Sequence, residues 1–264
     1  MKKLIGHGLA VLTFLLGGLG ALQVQAAITP NYEVKALLDS QKVLNDAHML
    51  TEQSKVIFHI REDPSNVQVQ YLDTPHRDFS QAGWTQRMRH KETKNKLEIT
   101  YKKRYPIANG DIASALQQAA QDGFANTSTP YEAQIDWGYH TMTLSVSYTQ
   151  KIPGYTSLPT ATQAKILTTA HMPAEELQTI SLKKEGVIYG PLTYQKYAGT
   201  LAGKSIDIEV WPIPNTSDYI TELSFKAKTY KEAAENRKKI YKLLESQQLI
   251  KAEDSLKTNK ILHS

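Results

Sequence analysis

Residues 67–104 read VQVQYLDTPHRDFSQAGWTQRMRHKETKNKLEITYKKR, and this stretch carries the clearest structural pattern of the chain. Apolar and polar side chains alternate over residues 67–72, 84–89 and 97–104. A period of two is typical of β-strands that bury one face. Because the three runs lie close together in the sequence, they favour an antiparallel meander over strands joined by long helical crossovers.

The same alternation returns in three later runs, at residues 141–151, 205–211 and 219–226. Helical signals are fewer, and the longest amphipathic run covers residues 230–247. The sequence therefore predicts an α+β domain, mainly antiparallel, in which a closed or nearly closed β-barrel is flanked by helices.

The composition of the 264 residues is that of a globular protein, with 41% hydrophobic and 22% charged residues and a formal net charge of +5. These values exclude disorder and coiled coil as the main state. The chain has no cysteine, which excludes a disulfide scaffold, a thiolate nucleophile, a zinc knuckle and an iron–sulfur site. The basic residues are not clustered in an arm, so we expect no nucleic-acid partner.

The first 26 residues have the layout of a secretory signal peptide. A basic start is followed by an apolar run at residues 4–22 and by small or aliphatic residues before Ala26. We expect cleavage after Ala26, a periplasmic or secreted bacterial protein, and no stable membrane span afterwards. The alternative is an uncleaved N-terminal membrane anchor, since the apolar run approaches the ~20 residues that cross a bilayer.

Charged side chains recur on the polar faces of the predicted strands. They are Glu33, Lys35, Arg87, Arg89, Glu98, Lys102, Arg104, Asp207, Glu209, Glu222 and Lys226. Two interpretations stay open, namely a solvated outer face and the inner face of a closed barrel. In the second, the cations would hold an anionic ligand and the carboxylates a divalent metal ion. Buried charges of both signs are costly without partners, so the second interpretation requires a wet tunnel.

Residues 67–104 resemble the middle of a CYTH domain, the triphosphate tunnel fold. That family shows a Tyr-x-Asp-Thr-Pro turn, a strand with Arg-x-Arg and a strand with Thr-x-Lys, which residues 71–75, 87–89 and 100–102 match. The family opens with a Glu-x-Glu-x-Lys strand, of which residues 31–35 keep the second Glu and the Lys. It closes with an acidic strand pair and a helix, which the end of this chain resembles.

The resemblance spans roughly residues 31–248 and implies a role for each matching residue. Phosphate contacts would come from Lys35, Arg87, Arg89 and Lys102, and metal binding from Glu33 and Glu222. Catalysis would come from Glu222 and from Glu209, with Asp207 as the alternative to Glu209. The implied metal is Mg²⁺ or Mn²⁺. Asn31 and Ser224 depart from the family pattern, because each replaces a carboxylate and so removes metal-binding charge. Tyr71 and Asp73 are expected to shape a turn.

The resemblance implies an exported protein that binds a triphosphate- or polyphosphate-type anion in a charged tunnel, with metal-dependent triphosphate hydrolysis as its candidate activity. The alternative is a non-catalytic periplasmic barrel for ligand binding or protein interaction. The predicted organisation is a signal peptide at residues 1–26, one barrel domain at 27–248 with insertions near 106–125 and 152–200, and a tail at 249–264. The tail is polar and expected to fray.

Residues 199–205 read GTLAGKS and resemble a phosphate loop. Three residues separate the glycines, where the motif has four, and an alternating strand follows in place of a helix. A phosphate loop needs a helix N-terminus at that point. The stretch therefore predicts a hairpin turn.

Overall fold

The computed structural model of the chain describes residues 29–125, 127–179, 186–254 and 257. The predicted signal peptide at residues 1–26 lies outside them. Within the described part, no helix combines the length and the apolar character needed to cross a membrane.

Among the described residues, nine strands form the central sheet and seven α-helices flank it. The strands are β1 (Asn31–Leu38), β2 (Ser65–Asp73), β3 (Trp84–Lys91), β4 (Lys96–Ile107), β5 (Glu132–Trp137), β6 (Met142–Pro153), β7 (Val187–Leu201), β8 (Lys204–Pro212) and β9 (Tyr219–Ala227). The helices are α1 (Ser40–Val43), α2 (Glu52–Ile57), α3 (Asp78–Gln81), α4 (Ile112–Ala119), α5 (Ala161–Ala170), α6 (Ala174–Thr179) and α7 (Tyr230–Ser246).

The described strands close into one barrel in the order β1-β5-β6-β4-β3-β2-β7-β8-β9, and β9 pairs back with β1. Neighbouring strands run antiparallel except β1 and β5, which run parallel. Residues directly opposite each other in a pair point to the same face. The polar sides of neighbouring strands therefore meet on one side of the wall, and the prediction of a mainly antiparallel α+β barrel is confirmed.

The main apolar core lies outside the barrel wall, between the strands and the helices. On β1, Val34 and Ala36 are buried on this outer side. The long helix α7 covers β1 and contributes Ile240 and Leu244, which are also buried. Each fully buried Leu or Ile side chain stabilises the fold by roughly 1.5–3 kcal/mol, so the helices fix which face of the sheet turns outward.

The inner face of the barrel is only partly charged. An apolar group that we call the inner aromatic cluster fills the part bordered by β2, β7, β8 and the start of β9. Its members are Val67, Val69, Tyr71, Tyr194, Trp211 and Ile220. The rings of Tyr194 and Trp211 stack with their centroids 3.8 Å apart. Since Val69 lies opposite Arg89 in the β2–β3 register, the cluster shares the inner face with the charged residues, and the charged lumen occupies only the remainder.

Two parts of the predicted organisation differ from the structure. The sequence assigns residues 152–200 to an insertion, whereas residues 187–200 form most of β7, which pairs with β2 and β8 and completes the wall. The sequence also predicts a frayed tail after Leu249. In the structure, Asp39 N donates to Leu249 O and Lys251 N donates to Leu37 O, both at 2.8 Å. Backbone pairing with the end of β1 therefore holds the start of the tail.

The glycine-containing stretch between β7 and β8 forms a hairpin turn, as predicted. Leu201 pairs with Lys204, and the two residues between them, Ala202 and Gly203, have φ angles of 49° and 78°. Positive φ at both central positions is typical of a type I′ turn. A strand follows directly, so the stretch offers no helix N-terminus to a phosphate.

Candidate functional site

A cavity of about 370 Å³ lies inside the barrel. All site residues predicted from the sequence except the alternative Asp207 line it, namely Glu33, Lys35, Arg87, Arg89, Lys102, Glu209 and Glu222. They come from β1, β3, β4, β8 and β9, so closure of the barrel brings them together. The same cavity is lined by Arg104, Asp136 and Lys257, to which the family resemblance assigns no role.

One side of the cavity is formed by β3 and β4, and we call it the cationic wall. Its side chains are Arg87, Arg89, Lys102 and Arg104. Two of these cations have a carboxylate within ion-pair distance among the described residues. Arg89 Nη2 lies 3.3 Å from Glu98 Oε2, and Lys102 Nζ lies 3.9 Å from Asp136 Oδ2. Positive charge therefore exceeds negative charge on this side.

Several donors of the cationic wall lack strong acceptors. The Nε atoms of Arg87 and Arg89 are buried and have no hydrogen-bond partner in the described part of the chain. Arg104 Nη1 donates to the neutral hydroxyl of Thr85 at 2.7 Å. A buried donor without an acceptor costs about 1–3 kcal/mol, and more when it is charged. A bound anion would supply the missing acceptors.

Burial and mutual repulsion show in the pKa values of the cationic wall. Burial lowers the pKa of Arg87, and the charge of Arg89 adds to that shift. Burial also lowers the pKa of Lys102, to about 8. Repulsion from Arg104 adds to that shift, whereas Asp136 opposes it. An anion against this wall would favour the charged form of every cation in it.

Lys35 on β1 lies at the centre of an ion-pair cluster between the two sides. Its Nζ is 3.1 Å from Glu33 Oε2 and 3.0 Å from Asp136 Oδ1. Burial alone would lower the pKa of Lys35, but Asp136 and Glu33 raise it above its usual value. Burial would raise the pKa of Asp136, but Lys102 and Lys35 lower it. Lys35 and Asp136 therefore both stay ionised at neutral pH.

Asp136 has no role in the sequence prediction, because the resemblance assigns none to β5, which is only six residues long. Its sequence, EAQIDW, alternates over six residues. Ala133 and Ile135 are buried on the outer side, while Gln134 and Asp136 reach the cavity. That alternation is the signal that predicts the strand, but its parallel pairing with β1 depends on tertiary structure.

The side opposite the cationic wall carries two carboxylates, Glu209 on β8 and Glu222 on β9, which lie directly opposite each other in the register. We call them the acidic pair. Lys257 lies between them, with its Nζ 2.5 Å from Glu209 Oε2 and 2.8 Å from Glu222 Oε1. Burial would raise the pKa of Glu209, but Lys257 lowers it to about 2. Lys257 belongs to a polar tail without periodicity, so no sequence pattern indicates its position.

The carboxylates that the resemblance assigns to Mg²⁺ or Mn²⁺ do not form a metal site among the described residues. No group of three or more His, Cys, Asp or Glu side chains in the described part is placed to hold a metal ion. Glu33 Oε2 is paired with Lys35, and Glu222 Oε1 is paired with Lys257. Ser224, which also lines the cavity, adds no charge. The described side chains therefore do not fit a resident divalent ion.

The Tyr-x-Asp-Thr-Pro stretch lies at the end of β2 and holds a turn, as expected. The Asp73 carboxylate accepts backbone N–H groups from Thr74, Phe79 and Ser80 at 2.7, 3.0 and 3.1 Å. Burial raises the pKa of Asp73, and these N–H groups oppose the rise. The carboxylate fixes the start of α3 and does not line the cavity.

Comparison with known proteins gives likenesses of structure only. No protein-family model and no curated protein sequence matches the chain. A candidate adenylyl cyclase from Hippeastrum that has a dominant triphosphatase activity matches with a TM-score of 0.54 at 12% identity, over 88% of this chain and 94% of that one. A candidate adenylate cyclase from Bacillus halodurans matches with a TM-score of 0.51 at 14% identity, over 89% and 96% of the two chains.

The chain has a CYTH-like triphosphate-tunnel fold. Both matches cover nearly all of the solved chains, so the likeness concerns the whole CYTH-like barrel rather than one motif. At these identities it establishes the fold alone. A fold of this kind hosts more than one reaction, so the function has to be argued from the cavity.

Proposed function

We propose that this CYTH-like barrel binds a linear triphosphate- or polyphosphate-type anion in its cavity. The observation that carries the proposal is the cationic wall, in which buried arginine donors lack acceptors. Arginine matches phosphate oxygens in a bidentate fashion, and lysine adds a point charge. Four cations on two adjacent strands would give such a ligand most of its contacts.

The shape of the cationic wall favours an elongated anion over a single phosphate. Arg87 and Arg89 are two residues apart on β3, and side chains with that spacing lie about 7 Å apart along a strand. Lys102 and Arg104 repeat the spacing on β4. A chain of phosphates would reach several of these cations at once, whereas orthophosphate would reach one or two.

Thermal unfolding in the presence of sodium tripolyphosphate and EDTA tests the proposed binding. At about 100 times its dissociation constant, a ligand stabilises the folded state by about 2.7 kcal/mol. For a chain of this length, that corresponds to a rise in Tm of about 5–10 °C. Orthophosphate at equal ionic strength is the ligand control. Equal shifts with both salts, or no shift at all, would contradict the proposal.

Arg87→Gln tests whether the cationic wall is the binding site. Arg87 has no ion-pair partner among the described residues, so its removal should weaken tripolyphosphate binding without destabilising the free protein. Arg61 is an exposed arginine outside the cavity, and Arg61→Gln is the matched control. If both variants bind tripolyphosphate as the unaltered chain does, the anion binds elsewhere.

Hydrolysis of the bound triphosphate is a second candidate function. The likeness to the Hippeastrum protein with its dominant triphosphatase activity favours it. In this chain, Glu209 faces the cavity and stays ionised, with a pKa of about 2, so it would accept a hydrogen bond from an attacking water. A requirement for Mg²⁺ or Mn²⁺ is proposed only as part of this hydrolytic function.

Release of orthophosphate from tripolyphosphate tests the hydrolysis, with separate reactions in EDTA, Mg²⁺ and Mn²⁺. The expected result is release by the unaltered chain and loss of release in Glu209→Gln. If no reaction releases phosphate while tripolyphosphate still raises Tm, the barrel is a non-catalytic binder. If tripolyphosphate neither raises Tm nor is cleaved, the alternative of a protein-interaction barrel replaces both candidates.

We also propose that the chain is exported and cleaved after Ala26. The support is the basic start, the apolar run and the small residues before Ala26. Expression of the full chain in a Gram-negative host, followed by fractionation and intact-mass measurement, tests this. The expected product lies in the periplasm and lacks residues 1–26. Full-length protein in the membrane fraction would support the uncleaved anchor.

A further inference from the structure

Lys257 makes the closest cation contacts of the acidic pair. Its ammonium lies 2.5 Å from Glu209 and 2.8 Å from Glu222 and also faces the Trp211 ring, 5.0 Å from the ring centroid. The Lys257 and Glu209 side chains are each 17% exposed, and that of Glu222 is 4% exposed. Two carboxylates this close and this sheltered repel each other unless a cation or a proton lies between them.

Hydrogen bonds hold the start of the tail beside the cavity, and this brings Lys257 to the cavity. The Asp254 carboxylate accepts from Tyr139 N at 2.5 Å, from His140 N at 3.2 Å and from the Thr141 hydroxyl at 2.8 Å. These three groups belong to the β5–β6 turn, and Thr141 and Asp254 both line the cavity. Three residues of chain span at most about 10 Å, so Lys257 is held near the acidic pair.

A divalent cation and the Lys257 ammonium would compete for the same oxygens. Mg²⁺ and Mn²⁺ bind carboxylate oxygens at short distances, and the oxygens that the acidic pair turns to Lys257 are Glu209 Oε2 and Glu222 Oε1. The described residues supply no third carboxylate that would complete a metal site. The lysine has the advantage of being tethered, because an attached group acts at a high effective concentration.

We propose that Lys257 is the cavity's own counter-cation, occupying the acidic pair in place of a divalent metal ion, so that a phosphate chain binds the opposite wall without added metal. The second half of this proposal rests on the proposed anion-binding function. The first half, the exclusion of metal by Lys257, stands on the contacts of the acidic pair alone.

Titration with Mn²⁺ in the absence of phosphate, followed by calorimetry and electron paramagnetic resonance, tests the first half. Lys257→Met removes the ammonium and keeps most of the length of the side chain. It should bind Mn²⁺ at least about tenfold more tightly than the unaltered chain, because affinity for such ions follows the charge of the free ligands. Lys257→Arg should stay like the unaltered chain.

The matched control is Lys251→Met, which removes a lysine of the same tail whose nearest carboxylate, Asp39, is 3.9 Å away. It should leave Mn²⁺ binding unchanged. Adding Glu222→Gln to Lys257→Met should abolish the gained site. Circular dichroism and Tm of each variant establish that it is folded. Equal Mn²⁺ binding by the unaltered chain and Lys257→Met, whether tight or absent in both, would overturn the exclusion.

Tripolyphosphate binding in EDTA tests the second half. The unaltered chain should bind equally well with and without Mn²⁺, whereas Lys257→Met should bind more tightly when Mn²⁺ is present. A strict requirement for Mn²⁺ in the unaltered chain would overturn this half. If tripolyphosphate binds to neither protein under any condition, the proposed function fails, while the Mn²⁺ titration still decides the role of Lys257.

Discussion

Glu176 on α6 gives a prediction that follows directly from burial. Its side chain has no solvent exposure and accepts a hydrogen bond from Gln86 Nε2 on the outer side of β3. Glu176 Oε2 and Gln86 Oε1 have no partner within the described part of the chain. Burial raises the pKa of Glu176 to about 8, although Gln86 and Lys103 oppose the rise. A proton on Oε2 would also give Gln86 Oε1 a donor.

The raised pKa makes stability fall as pH rises. Between the ordinary value of 4.5 and about 8, the folded chain keeps the Glu176 proton and the unfolded chain releases it. The free energy of unfolding then drops by about 1.4 kcal/mol per pH unit. The loss is about 3 kcal/mol at pH 7 and about 5 kcal/mol over the whole window. Below pH 4.5 both states are protonated and the contribution is complete.

Glu176→Gln removes this penalty, because a glutamine amide makes both hydrogen bonds with Gln86 and carries no charge. Urea denaturation at several pH values should show the variant about 3 kcal/mol more stable than the unaltered chain at pH 7 and about equal at pH 4.5. A stability difference that is independent of pH, or a less stable variant at pH 7, would refute a protonated Glu176.

The neighbouring Glu175 is the matched control. Burial would raise its pKa, but hydrogen bonds from Thr127 and Tyr131 lower it. Its carboxylate form is therefore favoured in the folded state, and that contribution is present above the unfolded pKa and lost as pH falls. Glu175→Gln should reduce stability at pH 7, opposite in sign to Glu176→Gln.

Three further predictions concern the cavity and its frame. Since the pKa of Lys102 is about 8 and a bound anion would raise it, tripolyphosphate affinity should fall by up to about tenfold per pH unit above pH 8. Calorimetry of Lys102→Arg should show an affinity that changes less with pH, because arginine stays charged. An equally steep fall in affinity in the variant and the unaltered chain would contradict this role of Lys102. Ala202→Asn should raise the unfolding free energy by about 1 kcal/mol, because Asn tolerates positive φ better than Ala. A lower unfolding free energy of this variant in urea denaturation would argue against the turn type. Asp73→Asn should cost about 1–3 kcal/mol, because its amide NH₂ would face the Ser80 N–H, and unchanged stability would contradict this.

Strand alternation predicted most of the wall of the barrel. The runs over residues 67–72, 84–89 and 97–104 lie within β2, β3 and β4, and those in the second half lie within β6, β8 and β9 to within one residue. The signal is strong there because one face of each strand packs on the outer core, while the other faces a charged or aromatic lumen. The sequence does not predict β7, because most of its 15 residues are half-exposed or exposed and glycine and proline interrupt the strand.

The sequence predicts less well which polar residues contact each other in the cavity. Arg87, Arg89 and Lys102 are close in the chain and share a face by alternation alone. Asp136 joins them through a parallel pairing with β1, and Lys257 through a tail anchored at Asp254. The contacts that bring Asp136 and Lys257 to the cavity leave no periodic pattern in the sequence, because each depends on residues more than a hundred positions apart.

The sequence by itself determined the period of the strands, the residue types on their two faces and the hairpin between β7 and β8, because these follow from local backbone geometry. Only the tertiary structure decided that the charged face turns inward. Alternation looks the same whether the polar side meets solvent or a lumen, and closure through β1, β5 and β9 together with the outer helices makes that choice. Closure also decided that a lysine from the tail lies between Glu209 and Glu222.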